Sequence, residues 1–136
     1  MAAELALIGM LKNDPGIQGF CGTTPTRVFP FHIPQTTTLP AIIVRATGND
    51  PNGTMTGPSE LDFERVQVLI YDNEFNNATF NLETRVRQVL DRPASGSVNG
   101  IDVDGCSFED RDTFKDQLID KEVFAIEHIY KVIIKR

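Results

Sequence analysis

The sequence is poor in the residues that most often carry catalysis or bind metals. Its 136 residues include no tryptophan, two cysteines and two histidines. Cys21 and Cys106 lie far apart and form no C-x-x-C pair, so the sequence predicts two reduced thiols rather than a zinc site or a redox pair. His32 and His128 have no ligating residue nearby at metal-binding spacing, and each is interpreted as a structural or surface histidine.

The short motifs of known catalytic and nucleotide-binding sites are also missing. The chain contains no G-x-S-x-G, P-loop, G-x-G-x-x-G or H-E-x-x-H pattern. Residues 102–105 resemble the middle of a calcium loop, but that alignment places Arg111 where a bidentate glutamate is required. We therefore expect no enzyme activity, no metal and no cofactor. A small enzyme or ligand-binding domain with a dispersed site is the alternative from a different class.

A long apolar segment and an excess of basic charge are absent as well. The N-terminal apolar run from Leu5 to Met10 is too short to span a membrane. Glu4 stands where a signal peptide would carry positive charge, so the protein is expected to stay in the compartment where it is made. The net charge of −6 argues against a strong electrostatic grip on DNA.

Acidic residues are concentrated in one segment instead. Between Asp102 and Asp120, seven acidic residues stand against only Arg111 and Lys115. Such a segment is typical of a solvated face. It also fits a surface that recognises a basic partner, or the lining of a passage through which DNA slides without sticking.

The pattern of apolar residues predicts a single α+β domain. A mainly antiparallel β-sheet should carry two helices packed on one face. The periodicities and turn residues predict a helix that ends at 13–16, a short edge strand at 27–31, strands at 39–45 and 61–71, a helix at 76–91, a hairpin at 99–100 and a last strand at 123–134. The hairpin has one alternative, in which Asn99-Gly100 merely opens a strand that runs through Cys106 and Phe108.

The segment from Thr47 to Glu60 is long, polar and rich in glycine, asparagine, proline and threonine. Loops of this length inside a compact domain are uncommon and are often functional. Because it connects two well-defined strands, it is predicted to be a mobile hairpin arm.

The order of these elements resembles the tail-completion (tail-terminator, head–tail joining) proteins of long-tailed bacteriophages. After a short N-terminal helix, the resemblance rests on Val28-Phe29-Pro30, on Leu-Pro-Ala-Ile-Ile-Val at 39–44 and on the long polar loop. It continues through a Val-Gln-Val strand that ends at Ile70-Tyr71-Asp72, an amphipathic helix, Asn99-Gly100-Ile101 and a long terminal strand. It spans the chain from about Leu5 to Ile134.

The resemblance implies a subunit that forms a ring, expected to be a hexamer, at the head-proximal end of the phage tail. Such a ring ends polymerisation of the tail tube and joins the tail to the head. Its partners would be other copies of the chain, the tail-tube protein and the head-completion or connector protein. DNA would pass through its lumen without sequence-specific binding. The protein would be part of the virion and would assemble in the host cytoplasm. Another head–tail morphogenesis subunit, such as a head-completion or tube protein, is the nearest alternative.

A ring requires heterologous interfaces, in which one patch meets a different patch on the next subunit. The arm and the acidic segment are the two candidates for these patches. The predicted interface residues are therefore Asn49, Asp50, Asn52 and Gly53 on the arm, with Arg111, Lys115 and Asp116 on the acidic segment.

Overall fold

The computed structural model describes residues 2–23, 26–31, 33, 38–51, 61–91, 96–98, 101–118 and 121–135. These residues form three helices and six strands. In chain order the elements are α1 (Ala2–Lys12), α2 (Pro15–Cys21), β1 (Val28–Pro30), β2 (Ala41–Pro51), β3 (Leu61–Asp72), α3 (Asn77–Leu90), β4 (Gly96–Val98), β5 (Ile101–Leu118) and β6 (Lys121–Lys135). No helix among them is long and apolar enough to cross a membrane.

The six strands form one sheet in the order β1-β2-β3-β6-β5-β4. Only the short β1 is parallel to its neighbour, and the remaining pairs are antiparallel. The α+β prediction with a mainly antiparallel sheet is therefore confirmed. The predicted edge position of the 27–31 strand is confirmed too, and Pro30 is compatible with it because an edge strand tolerates a missing N–H.

The main core lies between the helices and one face of the sheet. Val66, Val68 and Ile70 alternate along β3 and are fully buried in this core, as their spacing predicts. The same cluster includes residues from all three helices, so the helices share one face of the sheet. Leu69 and Tyr71 point the other way, into a smaller apolar cluster with Ile43 and Val123 on the opposite face.

Helix α2 is an element that the sequence interpretation missed, so the prediction of two helices was short by one. The Asn13–Gly16 segment does end α1, but it also starts α2. Asp14 is the N-cap, its side chain accepts a hydrogen bond from the Ile17 N–H, and a proline occupies the first turn. The apolar spacing of the N-terminal helix predicts that Leu5 shares a stripe with Ile8 and Leu11, but Leu5 is 52% exposed.

Helix α3 confirms the prediction for 76–91. Asn76 caps it in a reciprocal capping box with Thr79, and Leu82, Val86 and Leu90 are buried against the sheet. The three- and four-residue spacing of its apolar positions places them on a single stripe.

Two segments that were expected to be loops or polar faces are partly strand. Strand β2 continues to Pro51, and Gly48 to Pro51 pair with Asp62 to Arg65 after an irregularity near Thr47. The part of the predicted arm at 52–60 lies outside the described residues, so its mobility stays a prediction.

The acidic segment forms most of β5, which pairs with β6 as far as Leu118 and Lys121. At the other end of β5, Val98 pairs with Ile101, as the hairpin prediction requires.

Candidate interaction surfaces and a buried polar cluster

The predicted arm residues divide into two groups. Asn49 and Asp50 are strand residues of β2, and their backbones pair with Glu64 and Phe63 of β3. Asn52 and Gly53 lie outside the described residues. The structure therefore places the base of the arm on β2 where it extends beyond the short β1, in a part of the sheet in which β3 pairs with both β2 and β6.

Arg111 and Lys115 lie on the helix-facing side of β5, and each has a partner within the chain. Arg111 binds Glu83 of α3 through two hydrogen bonds, of which the one from its second terminal nitrogen measures 3.1 Å. Lys115 is exposed and lies 3.5 Å from the Glu122 carboxylate. Arg111 therefore contributes to the contact between α3 and the sheet, whereas Lys115 remains on the surface.

Asp116 lies on the opposite face of the sheet and accepts a 2.8 Å hydrogen bond from the Tyr71 hydroxyl. Burial and the adjacent carboxylate raise the pKa of Tyr71 above its ordinary value. The bond crosses β6, because Tyr71 is on β3 and Asp116 is on β5. Asp116 thus helps to close the smaller apolar cluster, in addition to any contact with a partner.

A polar cluster is buried where α3 crosses β5 and β6. His128 of β6 is 1% exposed; its Nε2 lies 2.8 Å from the Glu83 carboxylate and its Nδ1 lies 3.0 Å from the Tyr130 hydroxyl. The Phe108 ring meets the His128 ring edge-on, at 5.2 Å between centroids. The guanidinium of Arg87 lies 4.0 Å above the centre of the Phe108 ring.

The charges of this cluster fix the tautomer of His128. Burial lowers the pKa of His128 below its ordinary value, although the hydrogen bond to Glu83 opposes this effect. Burial alone would raise the pKa of Glu83, but hydrogen bonds from Arg111 and His128 hold it below its ordinary value. Near pH 7 the histidine is therefore neutral and the glutamate ionised. Nε2–H donates to Glu83, and the Tyr130 hydroxyl donates to Nδ1.

Beside this cluster, a groove of about 470 Å³ runs between α3 and β5 and is lined mainly by charged side chains. Its walls include Glu83, Arg87, Asp91 and Arg111. A catalytic base or nucleophile must come within hydrogen-bond reach of a substrate, whereas His128 and Tyr130 are 1% and 0% exposed. Both ring nitrogens of His128 and both oxygens of Glu83 already have partners. The cluster thus stabilises the packing of α3 on the sheet.

His128 was interpreted as a structural or surface histidine, and the structure shows that it is buried. The helical periodicity of 76–91 predicts that Glu83 points away from the apolar stripe. The Glu83 side chain is in fact only 13% exposed. The available signal was the period-2 alternation of β6, which puts His128 on the same face as Ile126 and Tyr130. A buried histidine on that face requires a polar partner from the helix above it.

A second polar row crosses the opposite face of the sheet. Arg45 of β2 donates to Gln67 of β3 at 2.6 Å, and the Gln67 amide donates in turn to Glu127 of β6. These three side chains are half-buried. This part of the face is therefore polar, in contrast to the neighbouring apolar cluster around Leu69 and Tyr71.

Metal-binding chemistry has no basis in the described part of the chain. No group of three or more histidine, cysteine, aspartate or glutamate side chains is arranged there to hold a metal ion. Cys21 and Cys106 are both buried as free thiols, and burial raises the pKa of Cys21 to about 11 and that of Cys106 to about 12.

The fold, a mainly antiparallel six-stranded sheet with its helices on one face, occurs in a virion protein. A chain in the structure of the virion of a native gene transfer agent particle matches this chain with a TM-score of 0.70. The match covers 100% of this chain and 95% of that chain, at 14% sequence identity. No protein-family model and no curated protein matches the sequence.

Proposed function

We propose that the protein is a structural subunit of a phage-like virion, which forms a ring at the head-proximal end of the tail. The ring ends tube polymerisation, joins the tail to the head and lets DNA pass through its lumen. The observation that carries the proposal is the end-to-end match to a chain of a gene transfer agent virion. The order of elements that resembles tail-completion proteins supports the finer assignment.

The distribution of polar groups also supports an assembly role over an enzymatic one. Within the described residues, the buried His128 and Glu83 are engaged with each other and with Tyr130 and Arg111. Catalysis requires such groups to be available to a substrate. The outer edge of β2, by contrast, continues beyond its pairing with β1 towards the predicted arm, which supports a contact with a neighbouring subunit at this edge.

The first experiment is light scattering on a size-exclusion column across a concentration series. A closed assembly of about six chains supports the proposal, because a closed ring has a fixed mass that does not grow with concentration. If the mass is that of one chain throughout, the protein is mixed with the tail-tube protein of the same virion and imaged by electron microscopy. A single chain that also fails to bind tube ends contradicts the proposal.

The second experiment tests the predicted arm directly. Residues 52–60 are replaced by Asn-Gly, which together with Leu61 leaves a three-residue turn between Pro51 and Asp62, the last pair of β2 and β3. The variant should keep the circular dichroism and melting temperature of the wild type but lose ring formation or tube binding. A matched control keeps the length of 52–60 and replaces its sequence with glycine and serine. A shortened variant that assembles like the wild type contradicts a role for the arm.

A further inference from the structure

The outer edge of β5 is the longest stretch of unpaired strand edge in the described part of the chain. Strand β5 has 18 residues and pairs with β6 along its length, but β4 covers only its first three residues. Beyond β4 most of its side chains are exposed. A long exposed edge presents a row of N–H and C=O groups to which a strand of another molecule can pair.

Three of these N–H groups are already occupied by aspartate side chains. Arg111 N–H donates to Asp110, Thr113 N–H donates to Asp112, and Gln117 N–H donates to Asp116, each at 2.8 Å. The ladder with β6 continues from Asp110 to Leu118 without a register shift. In an antiparallel ladder alternate residues direct their N–H groups away from the partner. The odd-numbered residues from Arg111 to Gln117 thus form one set that points outwards.

One more backbone N–H of β5 donates to an aspartate, but this aspartate is distant in sequence. The Phe108 N–H donates to the Asp91 carboxylate at the end of α3, at 3.1 Å. Among the odd-numbered residues from Arg111 to Gln117, Lys115 is the one whose N–H has no aspartate acceptor, because Phe114 precedes it. Phe114 is the one even-numbered residue between Asp110 and Asp116 that is not an aspartate. Its side chain packs against the smaller apolar cluster instead.

The outer edge of β1, at the opposite end of the sheet, also lacks free N–H groups, but for different reasons. The Val28 N–H donates to the Thr26 carbonyl at 2.8 Å, and Pro30 has no N–H. The Ile42 N–H donates to the Arg27 carbonyl, which places Val28 and Pro30 in the outward set of this parallel pair. Strand β1 thus offers no free outward N–H, and between Arg111 and Gln117 the Asp residues of β5 occupy three of the four outward N–H groups.

We infer that Asp110, Asp112 and Asp116 prevent the β5 edge from pairing with the β5 edge of a second copy of the chain. Each carboxylate occupies the N–H that an incoming carbonyl would need. Two β5 edges brought together would also place like charges close to one another. This inference stands independently of the proposed function, because it concerns a contact that the chain avoids.

The test removes Asp110 and Asp112, whose side chains accept hydrogen bonds from the backbone N–H groups of Arg111 and Thr113. Asp116 is left in place because it also binds Tyr71. The double variant Asp110→Ala with Asp112→Ala frees two N–H groups, and its matched control is Asp110→Asn with Asp112→Asn. Both double variants change the net charge equally, but asparagine keeps the side-chain oxygen as an acceptor.

Light scattering across a concentration series gives the readout, with circular dichroism and thermal unfolding as checks of the fold. The alanine variant should associate, with a weight-average mass at high concentration about twofold or more above that of the wild type. The asparagine variant should keep the wild-type mass. An alanine variant with the wild-type mass overturns the inference, and so does equal association of both variants, which would assign the effect to charge alone.

A third variant shows whether the association uses this edge. Thr113→Pro, added to the alanine variant, removes an outward N–H without costing a bond to β6. The added proline should restore the wild-type mass. Association that persists with the proline present would place the contact elsewhere and overturn the inference.

Discussion

Glu83→Ala should destabilise the protein far more than the removal of an ordinary surface glutamate. The carboxylate accepts hydrogen bonds from fully buried His128 and from Arg111, whose side chain is 42% exposed. Removing it leaves the Nε2–H of His128 buried without an acceptor. Arg111, by contrast, can turn towards water.

The magnitude follows from these two different environments. A buried donor left without a partner costs about 1–3 kcal/mol, and the partly exposed ion pair adds about 1 kcal/mol or less. The free energy of unfolding should therefore fall by about 2–3 kcal/mol, which lowers the melting temperature of a domain this size by about 6–12 °C. Glu74→Ala, at an exposed position just before α3, should change the stability by less than about 0.5 kcal/mol.

Urea unfolding followed by circular dichroism measures both variants. A double-mutant cycle with His128→Phe identifies the mechanism, because in that background no imidazole N–H remains to be orphaned. Glu83→Ala should then cost about 1 kcal/mol or less, the value expected for the Arg111 pair alone. Equal stability of the Glu83 and Glu74 variants would refute the reasoning, and so would an undiminished cost in the His128→Phe background.

Three further predictions concern pH, the helix cap and the hydrogen bond across β6. Because burial lowers the pKa of His128 in the folded chain, the unfolded chain binds a proton first as pH falls below about 6.5, and stability declines. Urea midpoints measured above and below this pH should show a smaller decline in His128→Phe, and an unchanged decline in that variant contradicts the prediction. Asn76→Ala removes the cap of α3 and should cost about 1 kcal/mol, so an unchanged urea midpoint would contradict the capping role. Tyr71→Phe removes the hydroxyl that donates to Asp116 Oδ2, while the Gln117 N–H still donates to Oδ1. The loss should cost about 1–2 kcal/mol, measured by thermal unfolding, and a variant as stable as the wild type would show that the bond contributes nothing.

The elements with a strong apolar period were predictable, and those without one were not. In α3 and β3, periodicity and flanking signals agree, because each element buries one continuous stripe or face. The acidic part of β5 alternates aspartate with arginine, threonine and lysine, and Phe114 is its one large apolar residue between 110 and 117. This segment is a strand because it pairs with β6, and the local sequence pattern does not predict that pairing.

The polar cluster was harder to predict because it depends on two elements that meet only in the folded chain. His128 and Glu83 lie 45 positions apart, and each has an ordinary polar interpretation on its own. Helix α2 was missed for a local reason. Asp14-Pro15 was interpreted as a helix stop, although an aspartate before a proline is equally a helix start.

The chemistry of the sheet edges restricts how neighbouring subunits of the proposed ring can meet. Strand β1 offers no free outward N–H, and the aspartates of β5 occupy most of the outward N–H groups between 111 and 117. Strand β6 has a paired strand on each side. Among the described residues, the outer edge of β2 has no paired strand beyond its pairing with β1, from Arg45 to Asp50. Strand addition between subunits of the proposed ring would therefore favour this edge of β2, which leads to the predicted arm, over the β5 edge that the aspartates protect.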